Sequence, residues 1–186
     1  MLSEKKVNLN TISNKKDLWK NLVSLDELRL LKLYTEQKKN PYTEAEHNAW
    51  IIKTLVDKKQ RYKFNQCKNL VLVGSGLYPY SMFDVHKQYP HIRQVGIEII
   101  ESRVKISQHL IKNSPAKDNI MIVHGDAATY DYSWLSDEDF VFISVDVEGE
   151  EIFNKVLKTS KAQPLVCAPY KYTWLLNLVN YRYRYS

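Results

Sequence analysis

Three observations predict an α/β protein: a doubly wound, mostly parallel sheet of five to six strands, preceded by an N-terminal helical element. Short apolar runs alternate with segments of ten or more residues at helical spacing, the pattern of parallel strands joined by crossover helices. The stretch Asn69–Ser81, NLVLVGSGLYPYS, passes from an apolar run into a Gly-rich turn and then into a segment able to open a helix. The chain holds five glycines, at 74, 76, 96, 125 and 149, all at expected strand ends or element junctions. Together these describe a Rossmann-like sheet. Glycine lets backbone approach a ligand closely, and a helix start offers free N–H groups.

The first 62 residues read as an N-terminal helical cap. Residues 1–12 read as disordered or loosely attached. From Asn14 to Tyr34 the apolar residues Leu18, Trp19, Leu22, Val23, Leu25, Leu28 and Leu31 keep helical spacing. Ser24 with Glu27 forms a capping-box pattern that divides this stretch in two. Pro41 ends it, because the residue before a proline avoids the helical region. Thr43 with Glu46 makes a second capping box, opening a helix to about Lys58. Such helices suit a cofactor cover, a substrate contact or a dimer face, and the pattern does not choose among these.

Residues 63–186 carry the sheet. Strands are expected at 69–73, 94–98, 120–123, 140–145 and 165–168. Helices are expected at 79–88, 100–112 and 150–158, the first with Pro79 at a first-turn position where proline is tolerated. A polar, aromatic link joins the third and fourth strands. Residues 174–179 read as helical, and the tail Tyr181–Tyr185 alternates with period two, as a sixth strand would. Helices between parallel strands cover both faces of the sheet, and right-handed crossovers bring ligands to the carboxyl ends near the switch between strands 1 and 4.

Composition narrows the class. The length of 186 residues is one domain's worth, and 44% apolar residues support a core. No apolar run approaches the roughly 18 residues a membrane span needs, and no signal peptide is visible. Cys67 and Cys167 form no motif and read as buried thiols in a reducing compartment, which makes the cytoplasm the expected location. Residues 1–68 carry 15 Lys/Arg against 8 Asp/Glu, a net +7, and residues 69–186 carry 12 against 13, a net −1. A basic cap can meet nucleic acid, but a solvated helical surface is favoured over it.

The chemistry-bearing residues follow the strands: Gly74, Ser75 and Gly76 after the first, Glu98 at the end of the second, Asp126 and Ala127 after the third, Asp146 and Glu148 after the fourth. In a doubly wound sheet these positions converge on one crevice. The nicotinamide fingerprint G-x-G-x-x-G/A fits in part. Pro79 stands at its third small position, while Glu98 lies 24 residues after Gly74, near the roughly 20 of that pattern. His86, His91 and His109 are scattered, so no metal site is expected, and His124 reads as a strand-end structural residue.

The set VLVGSGLYPYS, VGIEII, HGDA and FVFISVDVEGEEIFNKVL resembles the class I S-adenosylmethionine (SAM)-dependent methyltransferase superfamily over about residues 68–170. The resemblance implies SAM as cofactor. Gly74–Gly76 would pass under its methionine part, Glu98 would bind the ribose hydroxyls and Ile99 would pack on the adenine. Asp126 would accept from the adenine amino group with the Ala127 amide nearby, and Ser144 and Asp146 would face the reacting centre. The G-S-G-x-x-P-x-S form at Gly74–Ser81 and the pattern at Asp139–Gly149 are similar to nicotianamine synthase-like proteins, which transfer the aminocarboxypropyl group of SAM. Two features depart from the superfamily. It has seven strands, so the C-terminal part here is short and its sheet edge suits a partner chain. The N/D-P-P-Y/F motif is replaced by Ser144-Val-Asp-Val-Glu148.

The implied function is a SAM-dependent transferase, most simply a methyltransferase on a small molecule or peptide. Asp146, Glu148 and Tyr78 are the candidates for acceptor contact or base. The alternatives are aminocarboxypropyl transfer and a non-catalytic nucleotide- or nucleic-acid-binding module, the latter prompted by aromatics interleaved with Lys171, Arg182 and Arg184. Homo-oligomer formation through the N-terminal helices or the C-terminal sheet edge is allowed.

Overall fold

The computed structural model describes residues 41–44, 64–144, 147 and 149–166. The expected helices before Pro41, the expected helix to about Lys58 beyond Glu44, the helical and period-two segments beyond Val166, and the candidate residues Asp146 and Glu148 lie outside the described residues.

A helical turn α1 (Pro41–Glu44) precedes β1 (Asn69–Val73), α2 (Tyr80–Gln88), β2 (Arg93–Glu98), α3 (Glu101–Lys112), β3 (Ile120–His124), β4 (Phe140–Ile143), α4 (Gly149–Thr159) and β5 (Gln163–Val166). The five strands form one sheet in the order β3-β2-β1-β4-β5, and every pairing is parallel. The expected switch between strands 1 and 4 is therefore present: β1 pairs with β2 on one side and β4 on the other.

Side chains of a strand alternate between faces, and both faces here are covered. Leu70 and Leu72 of β1, Phe140 and Phe142 of β4 and Ile120 and Ile122 of β3 pack with Met82, Phe83, Val104 and Leu110 of α2 and α3. Val71, Val73, Val141 and Ile143 face the other way, against Ile152 and Val156 of α4 and against Tyr132 and Leu135. Tyr132 and Leu135 belong to the link between β3 and β4, which runs as turns without a helix. Burying a Phe side chain such as Phe140 or Phe142 contributes about 2–3 kcal/mol. β2 differs from its neighbours. Val95 and Ile97 join the α4 side, but the opposite face carries Gln94, Gly96 and Glu98, a polar and small lane that is buried.

Three expectations shift. β4 ends at Ile143 and not at residue 145, since the ladder to β1 stops at Val73↔Ile143. β5 starts at Gln163 and not at 165, and so includes Pro164, while its expected end at 168 lies outside the described residues. Gln163 N–H donates to Asp139 O on the β4 side, so the Pro164 nitrogen faces away from β4, where the ladder between these two strands needs no donor. Thr43, expected to cap a helix, lies inside the turn Pro41–Glu44, with Pro41 at its start. That turn docks on α2. The Tyr42 ring meets Phe83 edge-on at 5.5 Å, and its hydroxyl hydrogen-bonds to His86 Nδ1 at 3.0 Å. Burial at that contact lowers the His86 pKa below its usual value.

Candidate functional site

The carboxyl end of the sheet is built around the β1–α2 turn. Gly74 and Gly76 have φ of 73° and 72°, the left-handed region where a Cβ is penalised by roughly 1–2 kcal/mol. These two angles turn the chain back over β2. Gly74 and Ser75 N–H both donate to Ile97 O, at 2.9 and 3.2 Å. Ser75 then rests on Gly96, where a Cβ would clash with Ile122 Cδ1 and stand 2.8 Å from Ser75 Cβ. Gly96 was expected at a strand end. It lies inside β2, and its missing side chain is the seat of the turn.

Glu98 closes the lane and is buried. Its Oε2 accepts from Gly76 N–H and its Oε1 from Ile100 N–H, both at 3.0 Å. One carboxylate thus ties the turn after β1 to the loop after β2, two chain segments that both border the crevice. An ionised carboxylate offers about four acceptor positions, so two are left for a further donor. Beside it, Ile99 and Ile100 are 64% and 43% exposed, an apolar shelf next to a buried acid. His124 Nε2–H donates to Ile99 O at 3.1 Å and fixes that shelf against β3.

After β3, Asp126 is exposed and its Oδ1 accepts from Ala128 N–H at 2.8 Å, leaving its second oxygen outside that turn. Ala127 is buried, and its carbonyl accepts from the Tyr132 hydroxyl at 3.0 Å. Burial drives the Tyr132 phenol pKa upward, so it stays a protonated donor. Lys155 of α4 donates to Ala128 O at 2.6 Å and holds the same turn from below. Ser144, after β4, is half-buried, and its N–H donates to Val73 O at 3.0 Å. Gly74–Gly76, Glu98, Asp126–Ala127 and Ser144 follow the carboxyl ends of neighbouring strands, while the fourth expected position, Asp146 and Glu148, lies outside the described residues.

Tyr78 is 6% exposed and belongs to the core cluster that holds Leu72, Met82 and Phe83. Sequence reasoning read His124 as a strand-end structural residue but missed Tyr132 and Lys155 as supports of the loops. Nothing in their spacing announces a bond made across the fold. Among the described residues no group of acidic, His and Cys side chains is arranged to hold a metal ion, and no helix is long and apolar enough to cross a membrane.

The residues at the carboxyl ends of β1 and β2 fit parts of SAM in their chemistry. Two left-handed glycines remove side chains where a ligand would pass, and among the described residues the buried Ser75 hydroxyl there has no hydrogen-bond partner. The acid with spare acceptor capacity stands next to an exposed apolar shelf, the complement of a ribose diol joined to an adenine.

No family model matches the chain, and no curated protein matches it in sequence. Solved structures do match. A point mutant of nicotianamine synthase MtNAS in complex with SAM is 15% identical, with a TM-score of 0.53 over 77% of this chain and 55% of that one. A Staphylococcus aureus protein provisionally named a caffeoyl-CoA O-methyltransferase is 14% identical, with a TM-score of 0.48 over 87% and 88%. The glycopeptide N-methyltransferase MtfA with SAM is 13% identical, with a TM-score of 0.45 over 58% and 52%. The chain spans 38%, 39% and 52% of the first three structures it matches. The likeness to MtNAS establishes the fold alone: a Rossmann-like parallel sheet flanked by helices.

Proposed function

We propose that this chain is a SAM-dependent transferase, most simply a methyltransferase acting on a small molecule or peptide. The reading rests on one observation: Glu98, buried between Gly76 and Ile100, with acceptor positions to spare beside the exposed Ile99. The domain division into a helical cap (1–62) and a SAM-binding domain (63–186) belongs to the same reading. So does a cytoplasmic location, which suits the buried free thiol of Cys67.

In this reading Gly74–Gly76 hold the methionine part, Glu98 accepts from the ribose hydroxyls, Ile99 packs on the adenine, and Asp126 accepts from its amino group. The Ser75 hydroxyl supplies a donor to the methionine carboxylate. SAM supplies an activated carbon on a sulfonium that is its own leaving group. The protein's task is then to hold an acceptor in line and to exclude water. Ser144 borders that position, and Asp146 and Glu148 follow it in sequence, as contacts to the acceptor or as a base for a protonated one.

The second reading, transfer of the aminocarboxypropyl group, is favoured by the GSGLYPYS turn and by the likeness to nicotianamine synthase. The by-product separates the two: S-adenosylhomocysteine for methyl transfer, methylthioadenosine for the other. Titration calorimetry with SAM and both by-products, on wild type and Glu98→Ala, tests the cofactor. Micromolar binding that the substitution weakens is expected. Failure of all three to bind would end both readings.

A further inference from the structure

At the opposite end of the sheet, two open grooves meet at one aromatic side chain. The larger, about 850 Å³, follows the outer edge of β3, the last strand on that side among the described residues, and is bordered by Arg93, Lys112, Lys117, Met121, Tyr130 and Trp134. The smaller, about 530 Å³, lies between the β3–β4 link and the end of α4, with Lys158 and Lys161 on its rim. Trp134 lines both. Its Nε1–H donates to Asp131 O at 3.0 Å, which fixes the indole, while 45% of the residue stays exposed. Met121 beside it is 56% exposed. Asp118 and Asp137 are the acids of the two grooves, against five cations. Among the described residues none of the five is ion-paired.

We propose that this track binds a short segment of single-stranded nucleic acid, with a base stacked on Trp134 and the flanking phosphates met by the Arg93–Lys112–Lys117 and Lys158–Lys161 groups. A fixed, exposed aromatic between two cationic rims is what an unpaired strand requires, because every base has a face to stack and every linkage carries a charge. An apolar ligand would leave five cations without use, and a compact anion would leave the indole without use. The site is separate from the crevice. β3 runs five residues from Ile120 to His124, so the ends of the sheet stand about 17 Å apart. The inference does not rest on SAM binding.

The test is fluorescence anisotropy of a labelled 12-nucleotide oligouridylate with the full chain at two salt concentrations. Trp134→Ala is expected to weaken binding at least tenfold. Lys112→Glu with Lys158→Glu is expected to weaken it further and to flatten the salt dependence, each lost phosphate contact lowering the log–log slope by about 0.7. Saturating SAM should leave the affinity unchanged. Lys112 and Lys158 are exposed and Trp134 is partly so, and the double charge reversal reports even if the tryptophan variant does not fold. Equal binding by wild type and both variants would place the nucleic acid on the basic N-terminal third and overturn the proposal. So would the absence of binding, or capture of an acidic peptide in preference to the oligonucleotide.

Discussion

Asp139 and Glu98 are both buried carboxylates at sheet ends, and they are used differently. Asp139, just before β4, accepts five hydrogen bonds: from the backbone N–H of Lys68, Asn69 and Ser136, from the Asn69 side-chain amide and from the Ser136 hydroxyl. Its acceptor capacity is consumed inside the protein, and it staples the start of β1 to the start of β4. Glu98 accepts two, both from loops that border the crevice. The amino end of the sheet is closed around its acid, and the carboxyl end keeps part of its acid open. A buried charge marks a ligand site only where its hydrogen bonds are incomplete.

The largest effect should come from the closed end. Asp139→Ala leaves buried donors on Asn69 and Ser136 without acceptors and is expected to cost about 3 kcal/mol in urea unfolding. A loss below about 1 kcal/mol would show that water replaces the carboxylate easily, and the contrast with Glu98 would collapse. Next comes Gly96→Ala. Its Cβ would press on Ile122 and on Ser75, and overpacking of this kind costs about 1–3 kcal/mol. The displaced turn should also weaken SAM binding, so this variant should lose both stability and affinity. Glu98→Gln should divide the two. Roughly tenfold weaker SAM binding, about 1.4 kcal/mol, is expected with a smaller loss of stability than Asp139→Ala. Equal SAM affinity in calorimetry would remove Glu98 from the site.

The smallest effect concerns Cys67, whose thiol donates to Asn69 O at 3.1 Å at the closed end. Burial first, and the Asp139 charge second, push its pKa from 9.0 up to about 12. The folded state thus keeps the proton longer than the unfolded chain. The stability this gives is complete below pH 9 and is lost as pH rises toward 12. In a Cys167→Ser background the native thiol should react slowly with a disulfide reagent at pH 8 and fully in urea. Rapid native reaction would mean that this end opens.

Much of this layout is legible in sequence, and the reasons are local. A strand that ends in glycine declares where backbone must come close, so the β1 turn and the Glu98 position could be read directly. The roles of Gly96 and Asp139 could not. Each depends on which residues the sheet sets opposite them: Ser75 over Gly96, and the starts of β1 and β4 around Asp139. The β5 start was misplaced because Pro164 argues against a strand, an argument that lapses where the proline nitrogen faces away from the paired strand.

The seam between β1 and β4 has a consequence for how the protein comes to exist. Leu70 pairs with Phe140, 70 residues away, whereas the pairings Asn69↔Arg93, Gln94↔Ile120 and Phe140↔Gln163 span 24, 26 and 23 residues. Closing a longer loop costs more chain entropy, so the central ladder is expected to be the last to zip. The crevice straddles that ladder. In stopped-flow refolding, recovery of SAM binding should therefore lag behind recovery of helical signal. Two half-sheets would already be folded while the protein still had no place to put its ligand.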